Sequence, residues 1–140
     1  MVECSCVLCG KGASTSTQPL GPAQHGALDY GLAGSILLAP SVLGLKGSAR
    51  AWCYGFGAAA AFLNGLTDQP FTVKRLISFR VHGQADTPFV PLLLLLPWAT
   101  GALKQPKARV FFTGYFLAAL TNYLLTDYDR LPAKRSQAGR

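Results

Sequence analysis

The sequence predicts an all-α protein, a four-transmembrane-helix bundle made of two parallel-duplicated helical hairpins. Three observations carry this reading. The chain repeats itself: His25-Gly26-Ala27-Leu28-Asp29 opens one apolar segment and His82-Gly83-Gln84-Ala85-Asp86 opens another, at an offset of 57 residues. Each segment passes a proline (Pro40, Pro97), a glycine (Gly44, Gly101) and a basic turn, then enters a second apolar run that ends in Thr67-Asp68 or Thr126-Asp127. Internal similarity of this length constrains architecture strongly. The charges, only 14% of residues, are confined to short stretches between the apolar runs. A soluble domain averages about 25% charged residues.

Residues 1–23 read as a polar, flexible, cysteine-containing tail. They lack the basic start and apolar core of a signal peptide. Residues 24–70 form the first hairpin repeat, 71–81 a basic connector, 82–128 the second hairpin repeat and 129–140 a basic tail. Four candidate spans run from about His25 to Leu45, Ala51 to Leu66, Thr87 to Leu103 and Ala108 to Leu125. A spanning helix needs roughly 17–25 mostly apolar residues. The third span, with Leu92 to Leu96, is the most apolar; glycine and alanine dilute the second. Pro40 and Pro97 fall late in their helices, where a missing donor kinks or ends a helix. Gly44 and Gly101 follow as C-terminal caps. Pro88 and Pro91 fall early in the third helix, with Asp86 or Thr87 as its N-terminal cap.

Four spans put both termini and the central connection on one side. That side carries eight basic residues (Lys11, Lys74, Arg75, Arg80, Arg130, Lys134, Arg135, Arg140) and the short turns carry five (Lys46, Arg50, Lys104, Lys107, Arg109). The excess places both termini in the cytoplasm. Small residues recur at helical spacing: Ala27, Gly31 and Ser35; Gly57, Ala61 and Gly65; Gly114, Ala118 and Asn122. Such stripes allow close approach of helices in lipid. The net charge of +7 comes without aromatic–basic interleaving, which excludes nucleic acid as the expected partner. The expected partners are the lipid bilayer and a larger membrane protein complex or a second copy of the chain.

Connectivity brings His25, Asp29, Asp68, His82, Asp86 and Asp127 to one edge of the bundle. Spacing of i, i+4 sets His25 over Asp29 and His82 over Asp86. One reading is a structural polar cluster that caps helix ends and ties each hairpin. Another is a metal site, because two histidines with several carboxylates match the ligand chemistry of zinc, manganese or non-haem iron. The Glu-x-x-His pairs of di-iron bundles and the His-Glu-x-x-His of zinc proteases are absent. A third reading, proton or ion handling, lacks an acid at mid-span. Cys4, Cys6 and Cys9 form a separate candidate thiol or metal site, with only Cys6-x-x-Cys9 at a familiar redox spacing. No nucleotide loop, nucleophile elbow, quinone or haem signature implies a cofactor, and no catalytic residue is assigned.

The half-repeat of His-Gly-x-x-Asp, an apolar run to proline, a glycine-basic turn and a terminal Thr-Asp resembles the SPW-repeat group of small bacterial membrane proteins. The resemblance covers Gln24 to Asp127. Ala39-Pro40-Ser41 and Leu96-Pro97-Trp98 occupy the name-giving triplets. It implies a multi-pass protein of the bacterial inner membrane and supplies no activity. The expected function is a noncatalytic accessory, assembly or structural component, an enzyme being the less favoured case. The alternative is a metal-dependent membrane enzyme or sensor using the His/Asp cluster.

Overall fold

Proline and glycine set the ends of the helices. Pro22 stands in the first turn of α1 (Pro22–Leu43), where its missing N–H costs nothing. Gly44 ends α1 in the left-handed region at φ 70°, and the next N–H, from Leu45, returns to the Pro40 carbonyl at 3.0 Å. Helix α2 (Gly47–Leu66) follows after a three-residue turn. Helix α3 (Phe79–Ala99) ends before Gly101, again left-handed at φ 72°. A single 3-10 turn, Ala102–Lys104, leads to α4 (Pro106–Leu125), which starts on its own proline. The computed structural model describes residues 17–130; Cys4, Cys6 and Cys9 lie outside the described residues.

The four helices form a packed bundle. Helix α1 lies chiefly on α2 and α3 on α4, with α1–α4 and α2–α3 contacts closing the ring. Ile36, Cys53, Phe56, Leu93, Phe112 and Tyr115 fill the middle. At the turn end, Lys46 and Gln105 exchange two hydrogen bonds (3.4 and 3.0 Å), and the Trp52 indole donates to Thr100 at 2.7 Å. At the opposite end, two short backbone bridges tie one helix's end to the next helix's start. Leu20 pairs with Thr126 and Ile77 with Thr67. These bridges decide the site, because they seat each threonine beside a histidine.

The third helix starts eight residues earlier than its apolar run suggests. Ser78, not Asp86 or Thr87, caps it, accepting from the Val81 N–H at 3.3 Å. The segment Phe79–Thr87 is therefore helical, and His82 and Asp86 share a helical face. Asp86 is left free for the bundle interior.

The expectation of four membrane spans is corrected. Among the described residues, only α1 is both long and apolar enough to cross a membrane, and a single helix of this kind near the N-terminus also fits a core helix or a signal sequence. Helix α2 is diluted by glycine and alanine. Helix α3 spends its first two turns on Arg80, His82, Gln84 and Asp86. Helix α4 carries Lys107, Arg109, Asn122, Thr113, Thr121, Tyr115 and Tyr123. A multi-pass inner-membrane location, a bilayer partner and a membrane complex or oligomer lose their basis with those spans. What misled the sequence reading is on the surface: Leu38, Val42, Phe62, Trp98 and Val110 are exposed on the bundle's outer faces.

The small-residue positions are placed as follows. Gly57 is buried, and a Cβ there would stand 2.6 Å from Leu37 and 3.0 Å from Ile36, so α1 and α2 touch backbone to side chain. Gly65 is buried against Tyr30 and Val73, and Ala61 is half-buried. Gly31, Ser35, Gly114 and Ala118 face outward.

Candidate metal centre

His25 and Asp29 project from the first two turns of α1, and His82 and Asp86 from the first two turns of α3. Both histidines are 1% exposed. Their Nε2 atoms face each other at 3.2 Å. Asp29 Oδ2 lies 3.2 Å from His25 Nε2 and 3.2 Å from His82 Nε2. Asp86 Oδ2 lies 3.5 Å from His25 Nε2 and 3.3 Å from His82 Nε2. One donor atom from each of the four residues lies within 4.8 Å of the others.

The orientation of both rings follows from the threonines. Thr126 Oγ1 donates to the Asn122 carbonyl at 2.6 Å, and Thr67 Oγ1 to the Leu63 carbonyl at 2.7 Å. A hydroxyl has one proton, so each oxygen meets its histidine as an acceptor. His25 Nδ1–H donates to Thr126 at 2.9 Å, and His82 Nδ1–H to Thr67 at 2.7 Å. In the neutral rings this tautomer leaves a lone pair on each Nε2, aimed at the centre. Each threonine belongs to the other hairpin from the histidine it orients.

The carboxylates are oriented as well. Asn122 Nδ2 donates to Asp29 Oδ1 at 2.8 Å, leaving Oδ2 for the centre. The Tyr128 hydroxyl donates to Asp86 Oδ2 at 2.7 Å. Phe79 and Tyr128 close the outer side, with Phe79 stacked on His82 at 6.1 Å and Tyr128 edge-on to His25 at 5.2 Å. The repeated His-Gly pair makes room for this cover. A Cβ on Gly83 would stand 2.5 Å from the Tyr128 ring, and one on Gly26 would run into Gln69. Gln69 and Tyr128 each stand two residues beyond the repeated threonine.

Burial disfavours charge on both groups at the centre, yet partners outweigh it. Burial raises the Asp29 carboxyl, and hydrogen bonds from His25 and His82 with their charges pull it down to about 2. Burial lowers the His82 ring, and the hydrogen bonds and charges of Asp29 and Asp86 push it up to about 9. The centre thus holds positive charge avidly.

The two remaining acids of the repeat do not join the centre. Asp68 pairs with Arg75 at 3.0 Å. Asp127 is buried, accepts from the Asp129 N–H at 3.1 Å, and lies 3.7 Å from Arg130 Nε. Of the six residues of the predicted cluster, the structure brings together His25, Asp29, His82 and Asp86. Thr67 and Thr126 recur in both halves beside the acids, and that recurrence is the signal in the sequence for their role; no pattern in the sequence singles out Tyr115 or Tyr128.

The chain matches no family model, no curated protein and no solved structure. The resemblance to the SPW-repeat group is corrected accordingly: no family model supports it, and one helix rather than four meets the requirements of a span. The leaning toward a noncatalytic component is corrected as well. A buried cluster of two histidines and two aspartates with convergent donor atoms favours a catalytic or metal-sensing role.

Proposed function

We propose that the protein is a metal-dependent enzyme or metal sensor whose functional centre is formed by His25, Asp29, His82 and Asp86. One observation carries the reading: five of the six distances among the four donor atoms fall between 3.2 and 3.5 Å. A tetrahedron whose corners lie about 2.0–2.1 Å from a central ion has edges of about 3.3–3.4 Å. These five edges match the spacing of ligands around one small ion, and the sixth, between the two carboxylate oxygens, lies within 4.8 Å. Two carboxylates beside two imidazoles would balance the charge of a divalent ion that displaces the His82 proton. Two nitrogens and two oxygens at this radius suit Zn(II) first and Mn(II) or Fe(II) next. Calcium is disfavoured, since it takes six to eight oxygens at about 2.3–2.6 Å.

The oriented outer shell supports the same reading. Thr67, Thr126, Asn122 and Tyr128 each hold a ligand in place through its second atom or flank. Metal sites use such partners to set tautomer and ring angle. The test is metal analysis after equilibrium dialysis against Zn(II) and Mn(II), run on the natural chain and on His25→Ala with His82→Ala. One ion per chain, lost in the double variant, supports the proposal. Equal uptake by both proteins, or none by either, sinks it.

A further inference from the structure

The four ligands line a cavity of about 30 Å³ together with Tyr115 and Asn122 and with the apolar side chains of Leu32, Phe89 and Leu93. Two residues of its lining carry a polar group without a hydrogen-bond partner among the described residues. Asn122 Oδ1 is buried with no hydrogen-bond partner, although its amide nitrogen is committed to Asp29. Tyr115 is 7% exposed, and its hydroxyl makes no hydrogen bond among the described residues. Burial raises its phenol, and the nearby Asp29 charge raises it further, so the hydroxyl keeps its proton and stays a donor. A buried water needs about 10–15 Å³ and two to four polar partners. This cavity meets both requirements for one water and is too small for an organic molecule.

Resting on the metal reading above, we infer that the ion carries a fifth, exchangeable ligand, a single water, held in this cavity between the metal, Tyr115 and Asn122 Oδ1. The ligand accepts from the Tyr115 hydroxyl and donates to Asn122 Oδ1, while its oxygen lone pair meets the ion. Both unpartnered groups are thereby satisfied. The centre is then of the open kind, in which a bound water or a molecule of its size exchanges at the metal, rather than the closed kind that only ties a fold together. The lining is largely apolar, and the small volume admits only small ligands.

Visible absorption of the Co(II)-loaded protein tests the inference, because four-coordinate Co(II) absorbs more strongly than five-coordinate. The spectrum of the His25→Ala, His82→Ala chain is subtracted to remove metal held elsewhere. Two variants are compared with the natural chain: Ala119→Leu, which fills the cavity, and Tyr115→Phe, which removes one partner of the water. A weak five-coordinate spectrum in the natural chain that rises about twofold or more in Ala119→Leu, and toward the same form in Tyr115→Phe, supports the fifth ligand. A four-coordinate spectrum in the natural chain, or one that neither variant changes, overturns it while leaving the metal site standing. Failure to bind Co(II) at all overturns the metal site itself.

Discussion

The two hairpins contribute identical histidine–aspartate pairs to the centre but hold them differently. Each supplies a histidine and an aspartate one turn apart, and each supplies the threonine that orients the other hairpin's histidine. Beyond that, the halves part. In the second hairpin Asn122 reaches across to Asp29, and Tyr128 turns inward to Asp86. In the first, Leu63 stands at the position of Asn122, its neighbour Asn64 donates to the Gly26 carbonyl at 3.1 Å, and Gln69 folds back on Asn64 at 2.5 Å. Duplication kept what binds. Divergence changed what orients, and left one half to stiffen the fold while the other steers both carboxylates.

This contrast can be broken experimentally. The largest expected effect is on the shared ligands. Replacing either His25 or His82 with alanine should abolish stoichiometric metal binding, and the two variants should fail equally. A chain that keeps its ion after losing one histidine would show that the halves do not share a site.

The orienting threonines come next. Thr67→Val and Thr126→Val should each weaken metal affinity by about 10–100-fold, as loss of such outer partners typically does. Competition against a chromophoric chelator measures this. Similar losses preserve the two-fold picture; an effect confined to one threonine ends it.

The diverged residues should separate affinity from stability. Asn122→Ala should weaken metal binding, because Asp29 loses its anchor. Asn64→Ala should leave affinity unchanged and lower unfolding stability by about 1–3 kcal/mol, the cost of stranded buried polar groups. Denaturant titration beside metal titration checks both. Metal affinity reduced as much by Asn64→Ala as by Asn122→Ala would erase the distinction drawn here.

The smallest expected effect is on pH. In the metal-free chain, His82 rises from its ordinary 6.5 to about 9. Its contribution to stability is complete below pH 6.5 and is lost as pH rises through about 9. Asp29 falls from 3.8 to about 2, so its contribution is present above pH 3.8 and lost as pH falls through about 2. Metal-free stability should therefore be highest between pH 3.8 and 6.5. Metal must displace the His82 proton, so binding should tighten with rising pH and release protons to the buffer. A metal-free protein whose stability climbs from pH 6.5 to 9 would contradict the role given to His82.

The repeat in the sequence made much of this legible. It revealed four helices in two hairpins and placed His25, Asp29, His82 and Asp86 at one end. It did not tell the ligands from the bystanders. Asp68 and Asp127 repeat as faithfully as the ligands, yet each stands just past its helix end, where the backbone bridge turns it toward Arg75 or Arg130. The threonine before each points inward instead. That reversal depends on pairing with Leu20 and Ile77, residues distant in sequence, which no local pattern announces. The start of α3 was hidden for a related reason: its first turns are polar because they carry the site, so the apolar run began too late to mark the helix. The same outward-facing leucines, valines and phenylalanines that suggest four spans belong to helices whose inner faces are apolar in the middle of the bundle and polar at the site end.

X-ray absorption at the metal edge of the Zn(II)-loaded full chain decides whether His25, Asp29, His82 and Asp86 hold the ion. It reads the ligands around the ion and separates the His/Asp centre from the thiols of Cys4, Cys6 and Cys9. A shell of nitrogen and oxygen donors at about 2.0–2.1 Å, with the outer scattering of two imidazole rings and no sulfur, is expected. A shell of sulfur at about 2.3 Å, or one without imidazole scattering, would contradict it.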